Sequence, residues 1–201
     1  MVEDQVREDI AFIREAIDEG HAYAVHCGPD LVVWGVAVAI GHLGTYAFVR
    51  GWSPVQPNWL WAACIGLPWL YSLRSLPSHI LDSRPPRHTS PAVMALRMLW
   101  LGCGIFLTTM AVALMWSGEI RLGWFNAVAA GVLGIGVFAT AGLANIAWLR
   151  WVAVAWWIGE LALYALRRQP EALLLSAVLM LALLAGPGLA LVLRRRAARL
   201  P

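Results

Sequence analysis

Long apolar runs broken by short polar links dominate this chain. Six of them stand out: Leu31–Val49, Asn58–Leu73, Ala92–Trp116, Leu122–Leu143, Ile146–Leu166 and Ala172–Leu193. A helix crossing a bilayer takes about 20 apolar residues, with about 17 as the lower limit. Five of the runs satisfy this, and the second is marginal unless it extends past Leu73. The pattern predicts an all-α polytopic membrane protein with six transmembrane helices between residues 31 and 193 and a basic cytoplasmic tail over 194–201.

A different pattern precedes the first run. Val6, Ile10, Ile13 and Ile17 recur at helical spacing and form one apolar stripe, while Glu3, Asp4, Glu8, Asp9, Glu15, Asp18 and Glu19 fill the other faces. Gly20 is a natural stop, so residues 1–20 read as an acidic amphipathic surface helix on the cytoplasmic side. Helices that lie on lipid usually carry Lys and Arg toward the anionic inner leaflet, and this one does not. Its stripe is therefore expected under protein. It either folds back against the basic Arg74–Arg97 loop and the Arg194–Arg199 tail, or docks a partner subunit or a second copy of the chain.

Composition sharpens the picture. The chain of 201 residues is 60% hydrophobic and 13% charged, against about 45–50% and about 25% in soluble domains. All 15 basic residues are arginine, and with heavy Ala, Leu, Val and Gly usage this suggests a GC-rich bacterial source. With a cytoplasmic N-terminus, eleven arginines fall in inner segments and four (Arg50, Arg121, Arg167, Arg168) in outer ones. That is the positive-inside bias, and it predicts an inner-membrane protein with both termini cytoplasmic. Trp52, Trp59, Trp61, Trp116 and Trp124 fall near the outer boundary, as expected of an aromatic belt. Net charge +3 follows from topology and points to no nucleic-acid partner.

Candidate chemistry is sparse. The chain has no Gly-rich phosphate loop, no HExxH and no nucleophile elbow, so no catalytic residues are assigned. The three cysteines form no CxxC pair. His21, His26, Cys27, His79 and His88 fall on one side of the membrane in the assigned topology, but at no metal-motif spacing, so the histidines are expected to be interfacial and solvated and no metal is predicted. Haem is likewise not expected, because His42 is the one histidine within a run.

His42 and Glu160 remain as the ionisable residues deep inside runs. A charge at mid-bilayer costs roughly 2.5–3.5 kcal/mol on insertion scales, so such groups face the bundle interior. They lie at depths of about 16 and about 21 Å from the inner ends, close enough to form a functional pair if their helices are neighbours. Small-residue spacings (Ala37/Gly41, Ala130/Gly134) mark packing seams. Pro68 is expected to kink the second span and Gly186-Pro187-Gly188 to break the sixth. Matches at an offset of 93 residues, among them Ile65-Gly66 with Ile158-Gly159 and Leu70-Tyr71 with Leu163-Tyr164, suggest an inverted repeat of three plus three spans.

The Glu3–Gly20 segment with its Phe12-Ile13-Arg14 core, followed by a Gly-containing first span, resembles a group of small uncharacterised bacterial six-span inner-membrane proteins. The resemblance covers roughly the first 45 residues and implies membrane location without assigning a functional residue. Two functional readings stay open. One is a non-catalytic accessory, scaffold or regulatory subunit that binds a protein partner or forms a homo-oligomer. The alternative is a small proton- or solute-coupled transporter or channel built on His42 and Glu160. A mid-depth cavity lined by either residue separates them.

Overall fold

The computed structural model describes residues 22–73, 91–117 and 123–197, together with Gln5, Arg7, Ile10, Glu19 and Gly20. Among them all regular structure is helical. The elements are α1 (Gly28–Val49), α2 (Pro57–Leu73), α3 (Pro91–Ser117), α4 (Gly123–Leu143), α5 (Ala147–Ala165) and α6 (Glu171–Met180). A π-helical stretch, Leu181–Ala185, then leads into α7 (Gly186–Ala197). Four stretches are long and apolar enough to cross a membrane: Gly28–Val49, Pro91–Ser117, Gly123–Leu143 and Glu171–Arg195. Outside that set, α2 has 17 residues, and α5 carries Arg150, Glu160 and four tryptophans.

Successive rods run antiparallel. Trp61 near the start of α2 meets Thr45 near the end of α1, and Ser72 at the end of α2 meets Asp30 at the start of α1. Trp100 early in α3 bonds Thr140 late in α4, and Arg194 near the end of α7 sits over Trp148 at the start of α5. The closest pair is α4 with α5. There Ala127, Ala130 and Ala141 of α4 are buried with Leu149, Ala153, Trp156 and Leu163 of α5, and Gly134 receives the Trp157 and Trp156 side chains. Lipid offers no hydrophobic drive between helices, so close backbone approach through small residues supplies the contact.

Three faces of α1 serve three purposes. Gly28 and Gly35 press against the backbone of Gly188 and Ala185 in the last helix. Val36, Ile40 and Leu43 are exposed at helical spacing. The third face, Leu31, Trp34, Val38 and His42, lines a cavity. The least covered of the crossing candidates is α3, only 6% of its apolar window being buried within the chain.

The expectations for the helix ends need amendment. Gly186-Pro187-Gly188 does not break the last helix, which continues through it to Ala197. Pro187 has no N–H to give the Leu183 carbonyl four residues earlier, and its ring would crowd that carbonyl. The chain widens into the π-helical stretch just upstream, and the Trp156 indole N–H donates to the Leu183 oxygen at 3.1 Å. Arg194 and Arg195 consequently belong to α7 and not to a separate tail. Of the apolar stripe near the N-terminus, Ile10 is helical and 46% exposed, while Val6, Ile13 and Ile17 lie outside the described residues. Of the loop from Arg74 to Pro91, residues 74–90 lie outside the described residues. The glycines paired by the repeat differ in setting: Gly159 packs against Leu179, whereas a Cβ at Gly66 would meet open space.

Candidate functional site

Between α1, α2, α3 and α4, and reaching Trp156 of α5 and Ser176 of α6, lies a cavity of about 770 Å³, within the range of about 300–1,000 Å³ that suits a drug-sized molecule. Each wall comes from residues one helical turn apart. α1 gives Trp34, Val38 and His42; α2 gives Trp61, Ile65 and Trp69; α3 gives Leu101, Gly104 and Thr108; α4 gives Asn126, Ala129 and Leu133. From Asp30 to His42 the wall extends about 18 Å along α1.

Five tryptophans, Trp34, Trp61, Trp69, Trp100 and Trp156, line it. Buried indoles need a partner for their N–H, and every one of these has found it in the protein. Trp34 donates to Ser72 Oγ at 3.1 Å, Trp61 to Thr45 Oγ1 at 2.9 Å and Trp69 to Thr108 Oγ1 at 3.0 Å. Trp100 donates to Thr140 Oγ1 at 2.9 Å, and Trp156 to the Leu183 carbonyl. The rings are thereby fixed as apolar and π surface with no donor to spare. Trp34 and Trp69 also meet edge to face, their centroids 5.7 Å apart.

At the end toward the starts of α2 and α4 sits a polar pair. His42 is 4% exposed and Asn126 is 6% exposed. His42 Nδ1 donates to the Val38 carbonyl at 2.8 Å, and Nε2 lies 3.3 Å from Asn126 Oδ1. The other amide atom of Asn126, Nδ2, is buried without a protein partner. Trp61 closes this end: its ring meets His42 edge to face at 5.0 Å and packs on Gly41.

The opposite end is charged. Ser72 Oγ donates to Asp30 Oδ1 at 3.3 Å, and the Arg97 guanidinium lies over the Tyr23 ring at 5.2 Å. Burial, reinforced by neighbouring Cys27, drives the Tyr23 hydroxyl well above its ordinary range. Burial also pushes the Cys27 thiol up to about 11, so it is neutral near pH 7 and is neither a ready nucleophile nor a metal ligand. Among the described residues no group of three or more His, Cys, Asp or Glu could hold a metal ion. His21, His79 and His88 lie outside them.

The structure gives His42 and Glu160 different surroundings. The partners of His42 are Val38, Asn126 and Trp61. Glu160 is half-buried, and its carboxylate lies in the α4–α5 seam, where a Cβ on Gly131 would come within 2.9 Å of it. Glu160 is not among the cavity walls. Asn126 escapes a search for ionisable residues, although an amide four residues into a glycine- and alanine-rich helix carries the same desolvation signal. Trp61, near the α1–α2 end of the bundle, is also a lining residue of the cavity. No family model, curated protein or solved structure matches the chain.

Proposed function

We propose that the chain is a polytopic membrane protein that binds and moves a small solute through the cavity between α1, α2, α3 and α4. The observation that carries this reading is a cleft of about 770 Å³ whose wall includes the buried, hydrogen-bonded pair His42 and Asn126. A transporter requires a cavity at the depth of His42, and an accessory subunit does not.

In this reading α2 and α5 cross beside the four longer apolar stretches, making six crossings with both termini cytoplasmic in a bacterial inner membrane. The arginine asymmetry of the sequence supports the orientation. Trp52, Trp59 and Trp116, which are 70%, 78% and 91% exposed, cluster at one end of the bundle and suit an interfacial belt. The accessory-subunit reading draws on a separate observation, the exposure of Ile10 on the acidic helix.

Filling the cavity tests the proposal. Val38→Trp adds bulk to one wall while Val36→Trp adds the same bulk to the outer face. Solutes that raise the melting temperature of the purified protein should lose that effect in Val38→Trp and keep it in Val36→Trp. Equal response in the two variants would sink the cavity reading, and a stoichiometric partner retained by wild type in mild detergent would favour the accessory subunit.

A further inference from the structure

We propose that the cavity is entered sideways from the bilayer, through a slot between α2 and α3. Its occupant is one acyl chain of a zwitterionic aminophospholipid whose head group rests against Arg97 and Asp30. This rests on the cavity reading above and narrows the ligand to an amphiphile drawn from the membrane. The slot follows from how the helices pair. Among the described elements α2 packs closely on α1 alone and α3 on α4 alone, so the cavity wall has a seam where α2 faces α3. Trp69 reaches across that seam, its N–H on Thr108 Oγ1 at 3.0 Å and its ring against Gly104. On the Arg97 side of this bridge Met98 both lines the cavity and is 44% exposed, so the lining there is continuous with the outer surface. Just 6% of the apolar window of α3 is buried in the chain, and in a membrane the rest of it meets hydrocarbon.

Inside the slot the lining is graded in polarity. Glu19, His26, Asp30 and Arg97 line the end where α1 and α3 begin. From Asp30 to His42 the α1 wall runs about 18 Å, a little over half of the roughly 30 Å hydrocarbon thickness of a bilayer and so the reach of a chain from one leaflet. Polar lining residues elsewhere are engaged within the protein: Thr108 accepts from Trp69, Ser176 donates to the Ala172 carbonyl, and His42 is bonded to Val38 and Asn126. The five lining indoles have likewise placed their N–H groups. A chain that asks for no hydrogen bond leaves all of these pairs intact. The head end carries both signs of charge. The Arg97 guanidinium lies over the Tyr23 ring at 5.2 Å, and Asp30 accepts from Ser72 at 3.3 Å. Both charges bear on the Cys27 thiol, in opposite senses, so they share one neighbourhood. A purely anionic head would be repelled by Asp30 and Glu19, and a purely cationic one by Arg97. A phosphate on Arg97 with an ammonium beside Asp30 suits both, and guanidinium with phosphate is among the stronger charge-assisted pairings.

The test titrates the full-length protein, purified in detergent and stripped of lipid, with phosphatidylethanolamine or with phosphatidylglycerol of the same two chains. The second keeps the phosphate and lacks the amine. Native mass spectrometry reads the fraction of protein carrying one lipid. Wild type should bind the ethanolamine lipid about tenfold more tightly, the size of one charge-assisted hydrogen bond. Asp30→Asn should narrow that preference, and Arg97→Gln should weaken both lipids about tenfold. Val38→Trp, which narrows the groove, should lose both, while Val36→Trp on the outer face keeps them. Leu101→Trp, on the α3 wall, serves in its place where Val38→Trp does not fold. Equal affinity of wild type for the two lipids would overturn the proposal. Equal lipid binding by the groove and outer-face variants would put the lipid on the outside of the bundle and overturn it as well. Either result leaves the cavity reading standing while a water-soluble solute still loses its stabilising effect in Val38→Trp, and loss of that distinction too removes both.

Discussion

Trp156 illustrates how one side chain ties sequence to packing. It is 1% exposed, fills the space between α4, α5 and the last helix, and hands its N–H to the carbonyl that Pro187 leaves without a donor. Trp156→Phe keeps most of the ring and removes the donor, so stability should fall by about 1–3 kcal/mol, read as a lower unfolding midpoint in detergent. In a Pro187→Ala background the restored backbone N–H can serve Leu183, and the same change should cost less. Cys27 gives a pH-dependent counterpart. Its thiol is raised to about 11 by burial, and because the thiolate is the reactive form, alkylation should climb with pH through that value. In a Cys64→Ala/Cys103→Ala background, a rate that levels off near pH 9 would contradict this. At this scale the sequence reading found His42 from the cost of charge in lipid. It passed over Asn126 because an amide has no charge to flag, and it placed Trp61 near the α1–α2 end without showing its partner there, Thr45.

Among the elements, α1 shows how much a face can decide. A Cβ on Gly35 would come within 2.7 Å of the Ala185 backbone nitrogen and 3.0 Å of the Met180 carbonyl, atoms that cannot swing aside. Gly35→Val should therefore push the last helix away and cost about 1–3 kcal/mol, occasionally more. Val36→Ala, one position along on the outer face, should leave the unfolding midpoint nearly unchanged. The sequence revealed the helices readily because each apolar run is a local property. It misjudged the Gly186-Pro187-Gly188 element because the outcome depends on a distant residue: Trp156 stands ready to satisfy the freed carbonyl. The Ala130/Gly134 spacing was legible as a seam, and Ala130 is 1% exposed with Gly134 against α5. Which helix would fill that seam was not legible, since periodicity reports a face and not its occupant.

For the whole molecule, the antiparallel order and the arginine distribution together carry a topological prediction. In a cysteine-free background, Ser53→Cys in the α1–α2 link and Gln169→Cys in the α5–α6 link should react with an impermeant thiol reagent from the periplasmic side. Asn145→Cys, in the α4–α5 link, should react only once the membrane is opened. Labelling of all three from one side would contradict the six-crossing arrangement. The cavity belongs to this scale as well. Its walls come from several helices whose order around the bundle no local pattern encodes, which is why His42 and Glu160, similar in depth on paper, end with different neighbours.

The π-helical stretch also bears on chain length. A single π turn behaves as one residue inserted into an α-helix. Removing one residue from Leu181–Ala185 in a Pro187→Ala background would restore regular α geometry there while leaving the buried Ala172 and Ala177 before it, and Leu191 after it, on the sides they now occupy. The same deletion in the middle of α4 would turn everything downstream by about 100° and carry the fully buried Ala141 toward lipid. Natural variation in the length of this bundle's helices is accordingly expected to gather at Leu181–Ala185, where the fold already holds a residue more than a regular helix needs.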